Sequence, residues 1–362
     1  MKILVVGDFH SDIHEQAFFN AFLALGMDTS KFSWVDFYKG YHLAGVTLNT
    51  FLDKFLFLYY RFQNKFLIGP VLNNINKKLL QQCEKIKPDF IFVYKGIPIF
   101  PSTLQKIKKK NILIFAYNND DPFGAGYPFY VWRHYLAGLP FYDYIFSYRQ
   151  KNINDYKNLG YTNVDLLRSY FIESKNYPIT DYKGSRSLAD VSFIGHYEND
   201  GRDEVIKYLL DNGINLTLNG PEWHRSKYYE YFSSRCGNIE AIRGEQYNIA
   251  LNSTKICLVF LSKLNNDTYT RRCFEIPAAK SFMLCQYSDD ISNVFQEKRD
   301  AEFFRSKEEL LEKILFYLKN DEIRDCIAAS GYNRLLKDQH EVKDRANTVI
   351  STYEKLVLEG RS

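Results

Sequence analysis

Several features that would have pointed elsewhere are missing. The six cysteines (Cys83, Cys236, Cys257, Cys273, Cys285 and Cys326) are scattered. No Cys-x-x-Cys pair occurs and no histidine stands at metal-ligand spacing, which argues against a disulfide scaffold and a zinc-binding module. No stretch supplies the roughly 20 consecutive apolar residues of a membrane span. The most apolar one, Phe51 to Pro70, is broken by Asp53, Lys54, Arg61 and Lys65. No basic run is interleaved with stacking aromatics; Lys106 to Lys110 reads as the solvated end of a helix, so nucleic acid is not an expected partner. The opening residues Met1-Lys2-Ile3-Leu4-Val5-Val6-Gly7-Asp8 read as a first strand and its turn, not as a secretory leader. The expected compartment is the cytosol, with reduced thiols.

What the chain does have is aromatic surface and an uneven charge. It holds 28 Tyr and 29 Phe in 362 residues, against an ordinary 46% of apolar and 25% of charged residues. That length allows two domains, each with its own core. Net charge is +4 overall. Residues 1–175 carry 21 Lys and Arg against 14 Asp and Glu, so the N-terminal half is +7 and the remainder −3. Two surfaces with different partners, or solvated faces of unequal charge, would both give this pattern.

Short apolar runs alternate with amphipathic stretches. The expected strands of the first half are Lys2–Val6, Phe32–Phe37, Phe90–Val93, Ile112–Phe115, Tyr144–Phe146 and Val164–Leu167, with helices at Ile13–Leu25, Asn73–Lys85 and Ser102–Lys109. A polar stretch, Glu173 to Leu188, then reads as a linker. Alternation resumes with Asp190–Ile194, Leu216–Leu218, Ile239–Ile242, Ile256–Phe260, Phe282–Cys285 and Ala301–Phe304. Ser306 and Glu309 form a capping-box signature before Leu310, Leu311, Ile314, Leu315 and Leu318 at helical spacing. Strands separated by helices imply parallel sheets. The expected fold is α/β, two Rossmann-like domains facing across a cleft: residues 1–175, a linker at 176–188, and residues 189–362, the last helix being able to pack back on the first domain.

The stretch from Asn266 to Ala279 carries most of the chemistry. Asp267, Thr268, Tyr269 and Thr270 make a small polar loop that runs through Arg271 and Arg272 into a short helix bearing Glu275. Loop amides and two arginines suit a diphosphate, and a carboxylate farther in can accept from ribose hydroxyls. Gly195 and Arg202, after the first strand of the second half, are a weaker phosphate signal that turn chemistry also explains. Glu275 with Arg272 is equally the spacing of a plain helix-surface pair.

Here the sequence resembles the CgeB-like glycosyltransferases, a branch of the group-1 families with the GT-B fold. The resemblance rests on Arg272, Phe274-Glu275-Ile276-Pro277-Ala278, the turn Ala279-Lys280-Ser281 and the strand Phe282-Met283-Leu284. Asp267 stands eight residues before Glu275, where relatives carry a first Glu, and Lys280 stands where they usually have Gly. Supporting likeness is found at Val191–Gly195 with Arg202, at Asn219-Gly220-Pro221-Glu222-Trp223, in the tail to Arg345, and more loosely at Lys87-Pro88-Asp89 and Tyr117–Pro122. It implies transfer of a sugar from a nucleoside-diphosphate sugar to an acceptor hydroxyl, in cell-surface polysaccharide or glycoconjugate synthesis. The implied donor site is Gly195, Arg202, Asp267, Thr268, Tyr269, Thr270, Arg271, Arg272 and Glu275, with no cofactor beyond the donor. Arginines and a helix dipole replace a metal in such a site, and the pair Asp120-Asp121 lacks further ligands at metal spacing.

On the acceptor side, Asp121 or Asp120, after the fourth strand, is the expected base, although Asn-Asn-Asp-Asp-Pro is also a turn-forming run. His10 follows the first strand and is a further candidate; a capping or solvated role fits it as well. A glycan or lipid-linked acceptor is expected. Phe51–Pro70, apolar round much of a helix with Lys54, Arg61 and Lys65 among the aromatics, would suit peripheral contact with the inner membrane surface; a core helix or a dimer contact is the competing reading. The same architecture also suits a nucleotide-sugar epimerase, or a binding protein that closes on a ligand without reacting it.

Overall fold

The computed structural model describes residues 1–38, 50–179 and 190–360. Most of the expected linker lies outside the described residues. The chain divides into two compact units, Met1–Arg168 with Val342–Ser362, and Ser169–Glu341.

The first unit runs β1 (Lys2–Gly7), α1 (Glu15–Ala24), β2 (Asp28–Ser33), α2 (Phe51–Phe66), α3 (Pro70–Ile86), β3 (Phe90–Tyr94), α4 (Pro101–Lys108), β4 (Leu113–Asn118), α5 (Phe129–Gly138), β5 (Tyr144–Ser147), α6 (Gln150–Asn158) and β6 (Val164–Leu166). Its six strands are all parallel, in the order β2-β1-β3-β4-β5-β6. The central strands are buried on both faces: Ile3 to Val6 and Phe90 to Val93 are fully covered, as near-continuous apolar runs in parallel sheets require.

One expected strand is displaced. Phe32–Phe37 is the end of β2 followed by a 3-10 turn, Val35–Phe37. The strand begins earlier, at Asp28, because backbone pairing with β1 fixes it (Lys2 opposite Asp28, Gly7 opposite Ser33). At the sheet's edge its polar Asp28, Thr29, Ser30 and Lys31 carry no apolar signature to read.

The second unit runs β7 (Val191–Ile194), α7 (Arg202–Asp211), β8 (Leu216–Asn219), α8 (Tyr229–Cys236), α9 (Gly244–Asn252), β9 (Ile256–Val259), α10 (Arg272–Ala278), β10 (Met283–Gln286), α11 (Asp289–Ser292), β11 (Glu302–Phe304), α12 (Lys307–Lys319) and α13 (Asp321–Lys337). The order is β11-β10-β9-β7-β8, again all parallel. Ile239–Ile242 is not a strand. Its residues are partly or fully exposed; Ile239 packs against the core, and the Glu240 carbonyl accepts from Gly220 N–H at 2.9 Å. The last helix, α14 (Val342–Glu359), belongs to the first unit: Ala346, Val349 and Ile350 are buried, α14 packs along α1, and the Tyr353 and Phe90 rings lie 5.2 Å apart.

Two local details follow from backbone chemistry. Ser306 caps α12 by accepting from Glu309 N–H at 3.1 Å, while the Glu309 carboxylate reaches back to Arg305 N–H at 2.7 Å, one residue beyond the usual box partner. Lys280 occupies the position where a glycine was expected, and the turn closes as a glycine turn would. Its φ is +54°, with Lys280 N–H on Pro277 O at 2.8 Å and Ser281 N–H on Ile276 O at 3.1 Å. A side chain in the left-handed region costs about 1–2 kcal/mol, partly offset by glycine's greater freedom when unfolded, about 0.5–1 kcal/mol. Lys280→Gly is therefore expected to raise stability by a few tenths to about 1 kcal/mol, read as a higher urea midpoint at unchanged slope. A lower midpoint would mean that the exposed lysine side chain itself holds the turn.

Candidate functional site

Each sheet has one place where consecutive connections leave in opposite directions, opening a crevice beyond the strand C-termini. In the second unit this lies between β7 and β9, where the loops 195–201 and 260–271 diverge. In the first it lies between β1 and β3, with the loops after Gly7 and after Tyr94.

The exit of β7 is a close contact of two backbones. Gly220 has φ +143°, and a Cβ there would lie 2.0 Å from the Gly195 carbonyl oxygen. That oxygen accepts from Trp223 Nε1 at 2.9 Å, and Gly195 N–H donates to Asn219 O at 2.8 Å. Trp223 is thereby a core residue, its ring against Phe193, Tyr197 and Phe232. On the other side of Gly195 a Cβ would stand 3.3 Å from Arg272 Cζ, so the Arg272 guanidinium rests beside the bare glycine.

Arg272 is the unusual cation of this edge. Its Nε is buried without a hydrogen-bond partner, it makes no ion pair among the described residues, and its guanidinium stands 5.8 Å from the centre of the Phe193 ring. Arg202 contrasts with it. Buried at 3% exposure, it donates from Nε and Nη2 to Asp200 at 2.9 and 2.6 Å and from Nη1 to His196 O at 2.9 Å, with Glu198 at 3.4 Å. All three of its nitrogens are committed to the 196–200 loop.

Glu275 sits one helical turn into α10, buried at 7% exposure, and its partner is Arg271, not Arg272. Arg271 Nε donates to one carboxylate oxygen at 2.5 Å and the Tyr247 hydroxyl to the other at 2.8 Å. Arg271 also stacks on the Tyr170 ring at 4.7 Å. The preceding loop divides. Tyr269 is fully buried against Phe274, and Thr270 N–H points to Cys273 Sγ at 3.5 Å. Thr268 bonds Asp290 at 2.7 Å, and Asp267 is half-buried with its N–H on Ser262 O at 2.9 Å. Side chains of Tyr269 and Thr270 thus support the loop from within.

Glu198 belongs to this edge and has no signature in the sequence. Burial alone would raise its pKa; hydrogen bonds from His196 at 2.8 Å and Ser262 at 2.6 Å, with the Arg202 charge, hold it at about 2 instead. Acids therefore neutralise Arg202 and Arg271 and leave Arg272.

In the first unit, the crevice between β1 and β3 is lined by acids around a lysine. Lys95, in a left-handed turn at φ +64°, pairs with Asp120 at 2.9 Å. Burial works against its charge, but Asp120, Glu15 and Asp8 outweigh it and raise its pKa. Glu15, in the first turn of α1, is 1% exposed, and its Oε2 is buried with no hydrogen-bond partner. A Cβ on Gly7 would meet Glu15 Cγ at 2.1 Å, so the glycine makes its room. Desolvation, helped by Asp8, pushes the Glu15 carboxyl up to about 8. The available signal was its place on the apolar face of α1 with Phe18 and Phe22.

The expected catalytic residues fall differently. Asp121 is fully buried; it accepts from Phe123 N–H at 3.0 Å and Asn152 Nδ2 at 2.7 Å, with Lys151 at 3.3 Å. It is built into the turn after β4. Asp120 keeps part of its surface and reaches the crevice through Lys95. His10 is exposed on the loop after β1, its N–H on Asp8 at 2.8 Å, and His14 Nδ1 meets the Tyr94 hydroxyl at 3.2 Å.

Residues 202–351 match the family model described as glycosyl transferase-like. Among curated proteins, none matches the chain by sequence. Solved structures do match in fold. Sucrose-phosphate synthase from Thermosynechococcus elongatus is similar over 99% of this chain and 100% of its own, at 10% identity and a TM-score of 0.72. HepE from Anabaena, in complex with UDP-glucose, is similar over 98% and 100%, at 10% identity and 0.67. A putative UDP-N-acetylglucosamine 2-epimerase from Listeria monocytogenes is similar over 99% and 97%, at 12% identity and 0.58. The chain thus has two parallel α/β domains of the GT-B type.

The buried Glu15 carries a pH signature. Its folded pKa, about 8, lies above the ordinary carboxylate value, so between about pH 4.5 and 8 the folded state binds more protons there than the unfolded one. Its contribution to stability is full below that window and is lost as pH rises through it. Glu15→Gln keeps the shape without titrating. The melting temperature of the wild type should fall relative to the variant between pH 5 and 8.5, with the variant more stable at the upper end. Parallel curves would mean that Glu15 ionises as an ordinary carboxylate.

Proposed function

We propose that this protein transfers a sugar from a nucleoside-diphosphate sugar to an acceptor hydroxyl, with the donor held at the β7/β9 crevice of the second unit. The observation that carries this reading is Arg272: a guanidinium without a carboxylate, set beside a glycine at the C-terminal edge of a parallel sheet. A diphosphate supplies the missing anion. The match of residues 202–351 to a glycosyl transferase-like family supports it, and the similar HepE was solved with UDP-glucose.

In this reading Glu275 accepts from the ribose hydroxyls. A carboxylate has about four lone-pair sites, so the bonds from Arg271 and Tyr247 orient it and leave capacity for a ligand. Arg272 balances diphosphate charge in place of a divalent ion, making transfer metal-independent. Arg272→Ala and Glu275→Ala should each weaken UDP binding by about 1.5–3 kcal/mol, the loss of one charge-assisted hydrogen bond. Titration calorimetry in EDTA is the measurement. Wild-type affinity in both variants would remove the donor assignment, and affinity that appears only with magnesium or manganese would remove the metal-independent one.

The acceptor, a glycan or lipid-linked hydroxyl, falls to the β1/β3 crevice. Asp120 is the carboxylate placed to take its proton, with His10 on the neighbouring loop as the second candidate. Asp120→Asn should lower kcat at unchanged donor affinity, whereas Asp121→Asn should lower the melting temperature because it disturbs a buried turn. Normal kcat in Asp120→Asn would pass the role to His10. Turnover that needs a separate acceptor also distinguishes transfer from epimerisation and from ligand binding without reaction.

A further inference from the structure

Helix α2 leaves its apolar face uncovered. Phe51, Phe55, Leu58, Tyr59 and Phe62 stand at i, i+4, i+7, i+8 and i+11, one stripe of an α-helix. Phe51 is 86% exposed, Leu58 61%, Phe55 60% and Phe62 55%. Aromatic side chains of about 200 Å² each at these exposures form a patch at or above the few hundred Å² that monomeric proteins ordinarily show. The patch continues past the helix: Phe66 packs on Tyr130 at 4.8 Å, and Tyr130 touches Phe129, which is 85% exposed.

The helix is nevertheless anchored. Thr50 and Asp53 close a full capping box at its start. Its end is tied to α5, where Arg133 donates to the Phe66 and Leu67 carbonyls at 2.7 and 2.6 Å. Gln63, its one buried polar residue, faces the following turn. Tied to α5 at its C-terminal end, α2 presents the stripe outward.

Lys54, Arg61 and Lys65 line one flank of that stripe, about 85° round the helix from its centre. None makes an ion pair among the described residues, and Asp53, the only acid between Phe51 and Phe66, is consumed by the cap. Residues 51–87 hold seven basic side chains against two acidic ones. No helix among the described residues is long and apolar enough to cross a membrane.

We infer that α2 is a membrane-docking helix that lies in the surface of an anionic bilayer, its aromatic stripe in the acyl boundary and its basic flank against lipid phosphates. Charge decides the occupant. A second copy of this face would bring like charges together around the stripe, whereas an anionic surface complements them. Transfer onto a lipid-linked acceptor would gain from such docking, but the inference does not rest on the transfer reading.

The test is co-sedimentation of the full chain with phosphatidylcholine vesicles, with and without 30% phosphatidylglycerol. Binding should require the anionic lipid and weaken more than tenfold in Lys54→Glu/Arg61→Glu/Lys65→Glu and in Phe55→Ser/Phe62→Ser. Both variants should keep the wild-type melting curve and UDP affinity, since the altered side chains are exposed. No binding to either vesicle, equal binding to both, or a dimer in light scattering that dissociates in Phe55→Ser/Phe62→Ser would each overturn the inference.

Discussion

The second unit depends on one approach of backbone to backbone: the Gly195 carbonyl against the α-carbon of Gly220. Neither strand end could stand so close to the other with a side chain on Gly220. The contact brings Trp223 under β7, where its indole fixes the Gly195 carbonyl, and on the other side the missing side chain of Gly195 makes room for the Phe193 ring. Arg272 occupies that side. The same constraint therefore sets a core tryptophan, the direction of the β7 exit and the seat of Arg272, which makes no ion pair among the described residues.

A related arrangement recurs in the first unit with the opposite charge. Gly7 ends β1 as Gly195 follows β7, and the space left by its missing side chain holds the Glu15 carboxyl. The second sheet thus keeps an uncompensated guanidinium beside its glycine, and the first a carboxyl that burial drives toward its neutral form. An uncompensated guanidinium of this kind suits an anionic group. Lys95 lies near that carboxyl and pairs with Asp120.

The acidic residues around the β7/β9 edge divide its arginines. Asp200 and Glu198 consume Arg202, and Glu275 consumes Arg271. Three arginines within one crevice would repel each other and bind anions indiscriminately. Neutralising two leaves one directed charge and uses the others to fix the loops that present it.

By itself, the sequence determined the alternation of strands and helices, because strands buried on both faces must be apolar runs and the helices between them must be amphipathic. It also determined the stretch around Arg272 and Glu275, whose polar loop, paired arginines and acid are legible by residue type alone. It did not determine β2, whose polar edge residues are held by backbone pairing, nor the unpaired state of Ile239–Ile242. Tertiary structure alone decided which arginine pairs with Glu275, since adjacent positions differ by about 100° round the helix and only packing fixes the phase. It alone separated Asp120 from Asp121, neighbours of one residue type, one partly open and one sealed in a turn. And it alone exposed Glu15, because a carboxyl's proton affinity is set by the space Gly7 leaves and by the charges of Asp8 and Lys95, the latter far from it in sequence.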